Sequence, residues 1–393
     1  ITFGFKFNNP FMAGIYIHIP FCRQACHYCN FHFSVSQRQK EGFLACLLKE
    51  IELRHDFFGK PKEPGDRFRL ESVYLGGGTP SILSTSELNR IFERLAEYFD
   101  YDLGNEITLE ANPDDLTFEK LEALRQTPIN RLSIGIQSFH EADLKYMNRV
   151  HSPQQAIQAI ENALTLGFEN LTIDLIYGTP TMNDSQWKEN LQRTIDLGIE
   201  HISAYALTVE PKTALDVFIR RGQAKPVEEE QSARQFEIML EMLARHGYEH
   251  YEISNFALPG KFSRHNLSYW TGKPYLGLGP SAHSFRGTER SWNPPNTTKY
   301  IHSIQKGLLL LESEQLSPSQ RYDEYLMTSL RTMWGCNLKK VKEGWGEEKG
   351  KELENQCLRF IEQGQMIKKD SHLILTEKGK LFADRIASDL FWV

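Results

Sequence analysis

Strand-like and helix-like segments alternate along the first half of the chain. Short runs rich in β-branched and other apolar residues recur at residues 15–19, 72–75, 107–110, 132–136, 171–176 and 202–207. The intervening segments place apolar residues three and four positions apart, which is typical of helices that bury one face. Ser84 and Glu87 form a capping box that opens one of these helices. Strands that alternate with helices build parallel sheets with right-handed crossovers, so the sequence predicts an α/β fold.

The composition excludes several classes of protein. The longest apolar run, residues 308–311, is far shorter than the roughly 18 residues that span a bilayer. The sequence therefore predicts no integral membrane segment and leaves peripheral membrane contact open. The net charge is −6, whereas nucleic-acid binding needs a basic face, so no nucleic-acid partner is expected. The first residues lack the pattern of a secretory signal, which makes a cytoplasmic location the expectation.

Three of the six cysteines lie within eight residues, as Cys22, Cys26 and Cys29 in a C-x3-C-x2-C spacing. A zinc site would need a fourth ligand from a second pair, and the sequence has no such pair. Three thiolates on one loop suit three irons of a [4Fe–4S] cluster and leave the fourth iron open. The alternative is a chance group of structural cysteines. The other three, Cys46, Cys336 and Cys357, lie in helix-like patterns and are expected to be buried small apolar residues.

The segment from Tyr16 through the three cysteines to Phe31 resembles the radical S-adenosylmethionine (SAM) enzymes, in the branch of oxygen-independent coproporphyrinogen oxidases and their relatives. The resemblance covers nearly the whole chain. It implies a cluster whose open iron binds SAM and donates an electron to split it, together with an incomplete (β/α)6 barrel. The six strand-like runs agree with that count, two short of a closed barrel. Whether SAM is cleaved productively in this chain stays open.

Polar residues and glycines follow the predicted strands, at the edge where parallel barrels carry their chemistry. The resemblance implies that Gly77, Gly78 and Thr79 contact the SAM amino group and that Ala206 lies against adenine. It also implies that four residues hold the ribose and the methionine carboxylate: Glu110, Gln137, Arg149 and Asp174. For Arg149 the alternative is a surface arginine. Tyr16 and Tyr28 are expected to shield the cluster or stack on adenine, with core packing as the alternative, and His18 is either a proton carrier or a hydrogen-bonded core histidine.

A second motif, His265-Asn-Leu-Ser-Tyr269-Trp270, matches the H-N-x-x-Y-W pattern associated with haem binding in HemW-type haem chaperones. Histidine is a common axial ligand of haem iron, so His265 is the candidate haem ligand. From composition alone, a packed loop that closes the barrel is favoured. Two departures separate the chain from the oxidase: Phe31 stands where the oxidase has a further cysteine, and only fifteen residues precede Tyr16. Both departures favour the chaperone over the oxidase. Met12, followed by the strand-like residues 15–19, leads us to expect that residues 1–11 precede the natural start of the protein.

The predicted domains are an N-terminal extension at residues 1–13, a barrel at 14–285, a linker at 286–320 and a winged-helix-like domain at 321–393. The last of these holds thirteen lysines and arginines against twelve aspartates and glutamates, which makes it a poor binder of phosphate and suits a cover or a docking surface.

The leading functional hypothesis is a haem chaperone that binds a [4Fe–4S] cluster and SAM, takes an electron from a donor such as flavodoxin or ferredoxin, and passes haem to client haem proteins. The alternative is an oxygen-independent coproporphyrinogen III oxidase. A nucleic-acid-binding regulator with a redox-sensing cluster is the third hypothesis, and it depends on the winged-helix resemblance alone.

Overall fold

The structure is a computed structural model that describes residues 13–59, 67–102 and 104–392. The expectation for residues 1–11, and nearly all of the predicted N-terminal extension, lies outside these residues. Within them, no helix is long and apolar enough to cross a membrane.

Six parallel strands form the centre of the molecule, as the sequence predicts. They pair in the order β1, β2, β4, β5, β6 and β7, and the short β3 pairs with β2 to one side. Their bounds, in chain order, are β1 (Ala13–Ile19), β2 (Phe68–Gly77), β3 (Phe99–Asp100), β4 (Glu106–Ala111), β5 (Arg131–Gln137), β6 (Asn170–Tyr177) and β7 (His201–Ala206).

Helices connect these strands in the expected alternation, and the predicted capping box is present. The Ser84 amide donates to Glu87 Oε2 at 2.7 Å, and the Glu87 amide donates to Ser84 Oγ at 3.2 Å. The helices up to the end of the barrel are α1 (Lys40–Leu53), α2 (Thr85–Tyr98), α3 (Phe118–Leu124), α4 (Glu141–Tyr146), α5 (Pro153–Thr165), α6 (Asp184–Asp196), α7 (Ala214–Arg220) and α8 (Glu229–Arg245).

The two faces of the parallel strands differ in polarity. On β1 the alternate residues Ile15, Ile17 and Ile19 are fully buried in the main hydrophobic core, beneath the helices. The intervening Tyr16 and His18 face the concave interior, because successive side chains of a strand point to opposite faces. The same alternation continues on β2, β4, β5 and β6, where the interior-facing side chains are mostly polar: Ser72, Tyr74, Thr108, Glu110, Ser133, Thr172 and Asp174. Because these side chains are polar, the concave interior is suited to binding a ligand and does not form a second hydrophobic core.

The sheet stays open, because further strands extend both edges instead of joining them. A hairpin of β8 (Glu249–Glu252) and β9 (Asn255–Ala257) continues the sheet beyond β7. The helix α9 (Arg264–Trp270) follows. At the other edge, β1 pairs in parallel with β10 (Tyr275–Leu278), which is followed by β11 (His283–Arg286), β12 (Glu289–Trp292) and β13 (Glu312–Gln315).

Residues 286–320, which the sequence predicted to be a linker, are instead part of the folded barrel. They carry β12, β13 and α10 (Thr297–Gln305), so the predicted barrel end at residue 285 falls inside the sheet. Tyr300 of α10 is buried in the main core, and its hydroxyl donates to the buried Glu50 carboxylate at 2.8 Å. The residues Trp292, Pro294 and Pro295 mark the turn between β12 and α10 rather than a domain boundary.

The C-terminal part has a hydrophobic core of its own, in which Cys336 and Cys357 are buried as expected. The predicted hairpin turns at Asp370, whose φ is +53°. The part docks on the edge of the main sheet, where the Met333 amide donates to Tyr251 O at 3.0 Å. Its elements are α11 (Pro318–Leu330), β14 (Cys336–Asn337), α12 (Leu338–Trp345), α13 (Glu347–Glu362), β15 (Met366–Lys369), β16 (His372–Leu375), α14 (Glu377–Lys380) and α15 (Ala383–Ser388).

Candidate functional site

The three clustered cysteines lie on the loop that follows β1, at the carboxyl edge of the sheet. The loop folds back on itself, with the Cys22 amide donating to Ser34 O at 3.0 Å and the Ser34 amide donating to Pro20 O at 2.9 Å. Arg23 in the loop forms an ion pair with Asp115, at 2.7 Å between Arg23 Nε and Asp115 Oδ1. The loop is therefore anchored to the barrel at the segment after β4.

A second anchor holds the far side of the cysteine loop. The segment after α4 supplies Asn148, whose Nδ2 donates to Ala25 O at 2.7 Å and whose carbonyl oxygen accepts from Gln24 Nε2 at 3.0 Å. The His27 amide donates to Met147 O at 3.1 Å. The two anchors hold residues 23–27 of the loop, on both sides of Cys26, which is the preorganisation that a metal cluster needs in a loop.

The three thiols are free and partly exposed to solvent. Burial raises the pKa of the Cys22 thiol to about 11, although a hydrogen bond with Thr79 partly lowers it. Burial also raises the pKa of the Cys29 thiol. Thiols with raised pKa values stay protonated until a metal displaces the proton. Within the described ranges, no three His, Cys, Asp or Glu side chains converge on one metal ion. A cubane cluster takes one thiolate on each iron instead, and three separate thiols on one loop fit that requirement.

The glycine segment at the end of β2 lies directly beside the cysteine loop. The Gly78 amide donates to Ile19 O at 2.9 Å and the Thr79 amide donates to Phe21 O at 2.7 Å, which extends the pairing of β1 with β2 into the loop. A Cβ atom on Gly76 would lie 2.9 Å from Glu110 Oε1. The absence of side chains therefore opens a backbone-lined cradle between the cysteines and the barrel interior, where a small polar ligand fits.

Two carboxylates face the interior below this cradle. Glu110 accepts from the Tyr74 hydroxyl at 2.8 Å and from the Gly77 amide at 3.1 Å, and Asp174 accepts from Ser133 Oγ at 3.3 Å. Burial raises the pKa of Glu110 to about 7, with a smaller contribution from Asp174, and burial raises the pKa of Asp174 to about 6. Carboxylates of this kind gain from a ligand that supplies hydroxyl or ammonium donors.

Arg149 joins the cysteine loop to the barrel interior and is not a surface residue. Its Nη2 donates to Asn112 Oδ1 at 2.7 Å and to Gly135 O at 2.8 Å, and its Nη1 lies 3.4 Å from Cys26 Sγ. Its Nε atom is buried and has no hydrogen-bond partner within the described residues. Gln137, which the sequence also predicted for this site, adopts a φ of +66° at an irregularity in the pairing of β5 with β6. The unpaired Nε is a donor that suits a ligand carboxylate.

The aromatic residues around the cysteines have different surroundings. Tyr16 stacks on Tyr74, with 6.1 Å between ring centroids, and its hydroxyl lies 3.1 Å from His18 Nδ1. The other nitrogen of His18 lies 2.8 Å from His32 O, so the structure agrees with a hydrogen-bonded histidine in a buried position. Tyr28 is half-buried beside a small apolar cluster, and Ala206 is exposed at the end of β7. All four sites lie near the same rim of the barrel.

His265 lies below these residues, toward the amino end of the barrel strands, and its ring stacks on Tyr74 with 4.9 Å between the ring centroids. The helix α9 closes this end, and Glu106 accepts from the His265 amide at 2.9 Å. The His265 ring is 1% exposed, with Nδ1 2.8 Å from Ser72 Oγ and Nε2 2.9 Å from the Tyr269 hydroxyl. Both ring nitrogens are occupied, so the expectation that His265 presents a nitrogen to haem iron is not met in this conformation. The packed-loop alternative describes the segment better.

Several interior residues were missed by reasoning from the sequence, although a signal for them exists. Within each strand, polar residues alternate with isoleucine, leucine and valine, and this alternation contrasts with the continuous apolar runs of ordinary parallel strands. The residues that the alternation identifies, together with one that directly follows β4, are Ser72, Tyr74, Ser133, Thr172 and Asn112.

The raised pKa of Glu110 predicts a pH-dependent contribution to stability. A folded-state pKa of about 7, above the ordinary value of 4.5, favours folding at low pH, and the benefit is lost as the pH rises through about 7. We expect Glu110→Gln to gain stability relative to the unsubstituted protein between about pH 5 and pH 8, because glutamine does not ionise. Thermal unfolding of both proteins across this range checks the prediction. A difference in melting temperature that does not change with pH contradicts it.

The chain is similar to known proteins over most of its length. The family model of the Radical SAM superfamily matches residues 16–194. The protein named heme chaperone HemW of Bacillus subtilis (strain 168) is 32% identical over 379 residues, which are 95% of this chain and 98% of that protein. The protein of the same name in Mycobacterium tuberculosis H37Rv is 32% identical over 388 residues, 98% of this chain and 95% of that protein. The solved structure of coproporphyrinogen III oxidase (HemN) from Escherichia coli, described as a radical SAM enzyme, superposes with a TM-score of 0.82 at 22% identity and covers 98% of this chain and 91% of that chain.

Proposed function

This chain belongs to the HemW haem chaperones of the radical SAM superfamily, and we propose that it binds haem and transfers it to client haem proteins. The observation that carries the proposal is the extent of the similarity. The relatives that are named haem chaperones align over nearly their whole length, so both the barrel and the C-terminal part of this chain have counterparts in them.

The cofactors proposed for the carboxyl edge of the barrel are a [4Fe–4S] cluster and SAM. Cys22, Cys26 and Cys29 would hold the cluster on their doubly anchored loop. A bound cluster supplies one electron and an open iron to which SAM can bind. The residues present fit these groups, because the thiols lie beside a glycine cradle and the unpaired Arg149 Nε.

The chain's own residues bind and orient the cofactor in this proposal. The backbone around Gly77, Gly78 and Thr79 would contact the amino group, and Arg149 would pair with the carboxylate. Glu110 and Asp174, with Gln137 beside them, would accept from the ribose hydroxyls. Ala206 at the end of β7 is exposed and would lie against the adenine. Tyr16 and Tyr28 would limit the access of water to the cluster.

The electron donor, a flavodoxin or ferredoxin, would dock at the cysteine loop. Phe31 and Val35 lie on this loop with 69% and 55% of their surface exposed, next to the thiols. Exposed apolar side chains of this size around a cluster suit a transient protein contact. The proposed location is cytoplasmic, where all six cysteines, which are unpaired here, would stay reduced.

The haem-transfer proposal predicts two measurable steps. We expect the anaerobically reconstituted protein to bind haem with a saturable change in its absorption spectrum. We also expect it to transfer this haem to an apo haem protein faster than haem dissociates spontaneously into solution. Size-exclusion chromatography followed by absorption spectra of the separated proteins measures the transfer. No saturable binding, or no transfer above that rate, would contradict the proposal.

The alternative reaction is tested by the same preparation. Addition of SAM, a reductant and coproporphyrinogen III should leave the mass of the porphyrin unchanged. The stepwise loss of two carboxyl groups would instead identify a decarboxylating enzyme. The likeness to the solved oxidase, at 22% identity, supports the fold alone.

A further inference from the structure

An open cleft of about 640 Å³ lies between the barrel and the C-terminal part. One wall is the end of β7 with the first turns of α8. The other wall is formed by residues 380–385, which run from the end of α14 into the first turn of α15. Sites for small molecules and cofactors commonly have volumes of roughly 300 to 1,000 Å³. The volume of the cleft falls within this range.

The lining of the cleft is mainly apolar and partly aromatic. Phe382 lines the cleft with 43% of its surface exposed. The apolar lining residues include Tyr177, Leu207, Phe236, Ile253, Leu381 and Phe382. Such walls favour a broad, flat, apolar ligand.

Three cations line the same cleft, and only one of them has a carboxylate partner. Arg331 Nη1 pairs with Asp384 Oδ1 at 2.8 Å. Lys380 Nζ lies 2.9 Å from Nδ1 of His250, which is a neutral partner because burial lowers the pKa of His250 to about 3. In the described part of the chain, neither Lys380 nor Arg385 forms an ion pair with a carboxylate.

The environment of Lys380 favours an anionic ligand. Burial lowers the pKa of this ammonium group to about 8, and the nearby Glu377 carboxylate offsets only part of the loss of water. A ligand carboxylate would restore the stability of the charged form. Two cations without ion-pair partners, Lys380 and Arg385, thus match a ligand with two carboxylates.

We propose that this cleft, rather than the surroundings of His265, is the binding site for the haem cargo. The apolar walls would hold the porphyrin ring, and Lys380 and Arg385 would pair with its two propionates. The inference rests on the proposed haem-chaperone function and deepens it. Among the described residues that line the cleft there is no histidine, cysteine or methionine, and burial raises the pKa of the Tyr177 hydroxyl, which disfavours a tyrosinate ligand. The ring and the carboxylates, rather than the iron, therefore provide the affinity. Ala206, the residue proposed to contact adenine, also lines the cleft, which places the cargo next to SAM.

The test uses the full chain and two ligands, haem and iron-free protoporphyrin IX. Ala233→Trp fills the cleft from α8, and Glu241→Trp, two turns further along the same helix and outside the lining, is the matched control. We expect the unsubstituted protein and the control to bind both ligands with similar affinity. Ala233→Trp should weaken both by at least tenfold, and the double variant Lys380→Met with Arg385→Met should weaken both several-fold without filling the cleft.

A third ligand distinguishes the contribution of the porphyrin ring to binding from that of the carboxylates. The dimethyl ester of protoporphyrin IX should bind the unsubstituted protein and the double variant equally, because it has no carboxylate to lose. Unchanged haem binding by Ala233→Trp, or loss of haem binding in His265→Ala alone, would overturn the cleft proposal and leave the haem-chaperone function standing. Binding of haem without binding of protoporphyrin IX would also overturn it. If the unsubstituted protein binds no haem at all, the proposed function itself fails.

Discussion

Replacement of any one of Cys22, Cys26 and Cys29 by alanine is expected to abolish stable iron loading. Each of the three would hold one iron of a cubane cluster. The two histidines of the loop have other partners, since His27 Nδ1 lies 3.0 Å from Tyr146 O and His32 Nε2 lies 2.9 Å from Thr297 Oγ1. Iron content after anaerobic reconstitution should fall from about four atoms per chain to less than about one, with loss of the thiolate-to-iron absorption. Chemical iron analysis and absorption spectra of the desalted protein measure the effect.

The matched control for this prediction is Cys46→Ala. Cys46 is buried in α1, where its thiol lies 3.6 Å from Ile301 O, away from the cysteine loop. This variant should load iron as the unsubstituted protein does. A cluster that survives intact in Cys26→Ala, for example, would show that the loop is not the cluster site, since Arg149 beside Cys26 is a cation and cannot replace a thiolate.

The parallel sheet could be predicted from the sequence because its signal is local. Runs such as residues 132–136 and 171–176 are bounded by helix-like segments, and the hydrophobic period alone distinguishes the two. The alternation with helices then indicated a parallel sheet with right-handed crossovers. Residues at strand ends, Glu110 and Asp174 among them, could then be placed on one edge, and the structure brings their side chains to the same polar interior.

The features that the sequence did not predict depend on long-range contacts. No pattern in the local sequence distinguishes the segment around α10 from a linker. The segment is held in place by the hydrogen bond between Tyr300 and Glu50, which are 250 residues apart. The position of His265 depends on Glu106 at the start of β4 and on Ser72 in β2. The cleft likewise joins residues of β7, α8 and the C-terminal part, so no single stretch of sequence carries its signal.

Gly78→Ala is expected to have the second large effect, because the position has no room for a side chain. A Cβ atom there would lie 2.7 Å from Phe21 O, 2.9 Å from Ile19 O and 3.0 Å from Cys22 Sγ. Two of these neighbours are backbone atoms of the segment that leads into the cysteine loop, so relief of the clash must move the loop itself. We expect a loss of about 1–3 kcal/mol in the free energy of unfolding, the usual cost of overpacking.

The same displacement should reach the cofactor site. SAM affinity of the reconstituted Gly78→Ala protein should fall by at least about tenfold, since about 1.4 kcal/mol of lost contact has that effect. Gly42→Ala is the control, because its Cβ would meet only Ile301 Cδ1 at 3.9 Å, and alanine in α1 should raise stability by up to about 1 kcal/mol. Urea unfolding and equilibrium SAM binding measure the two effects. If Gly78→Ala matches Gly42→Ala in both, the glycine segment neither supports the cysteine loop nor forms the cradle for SAM.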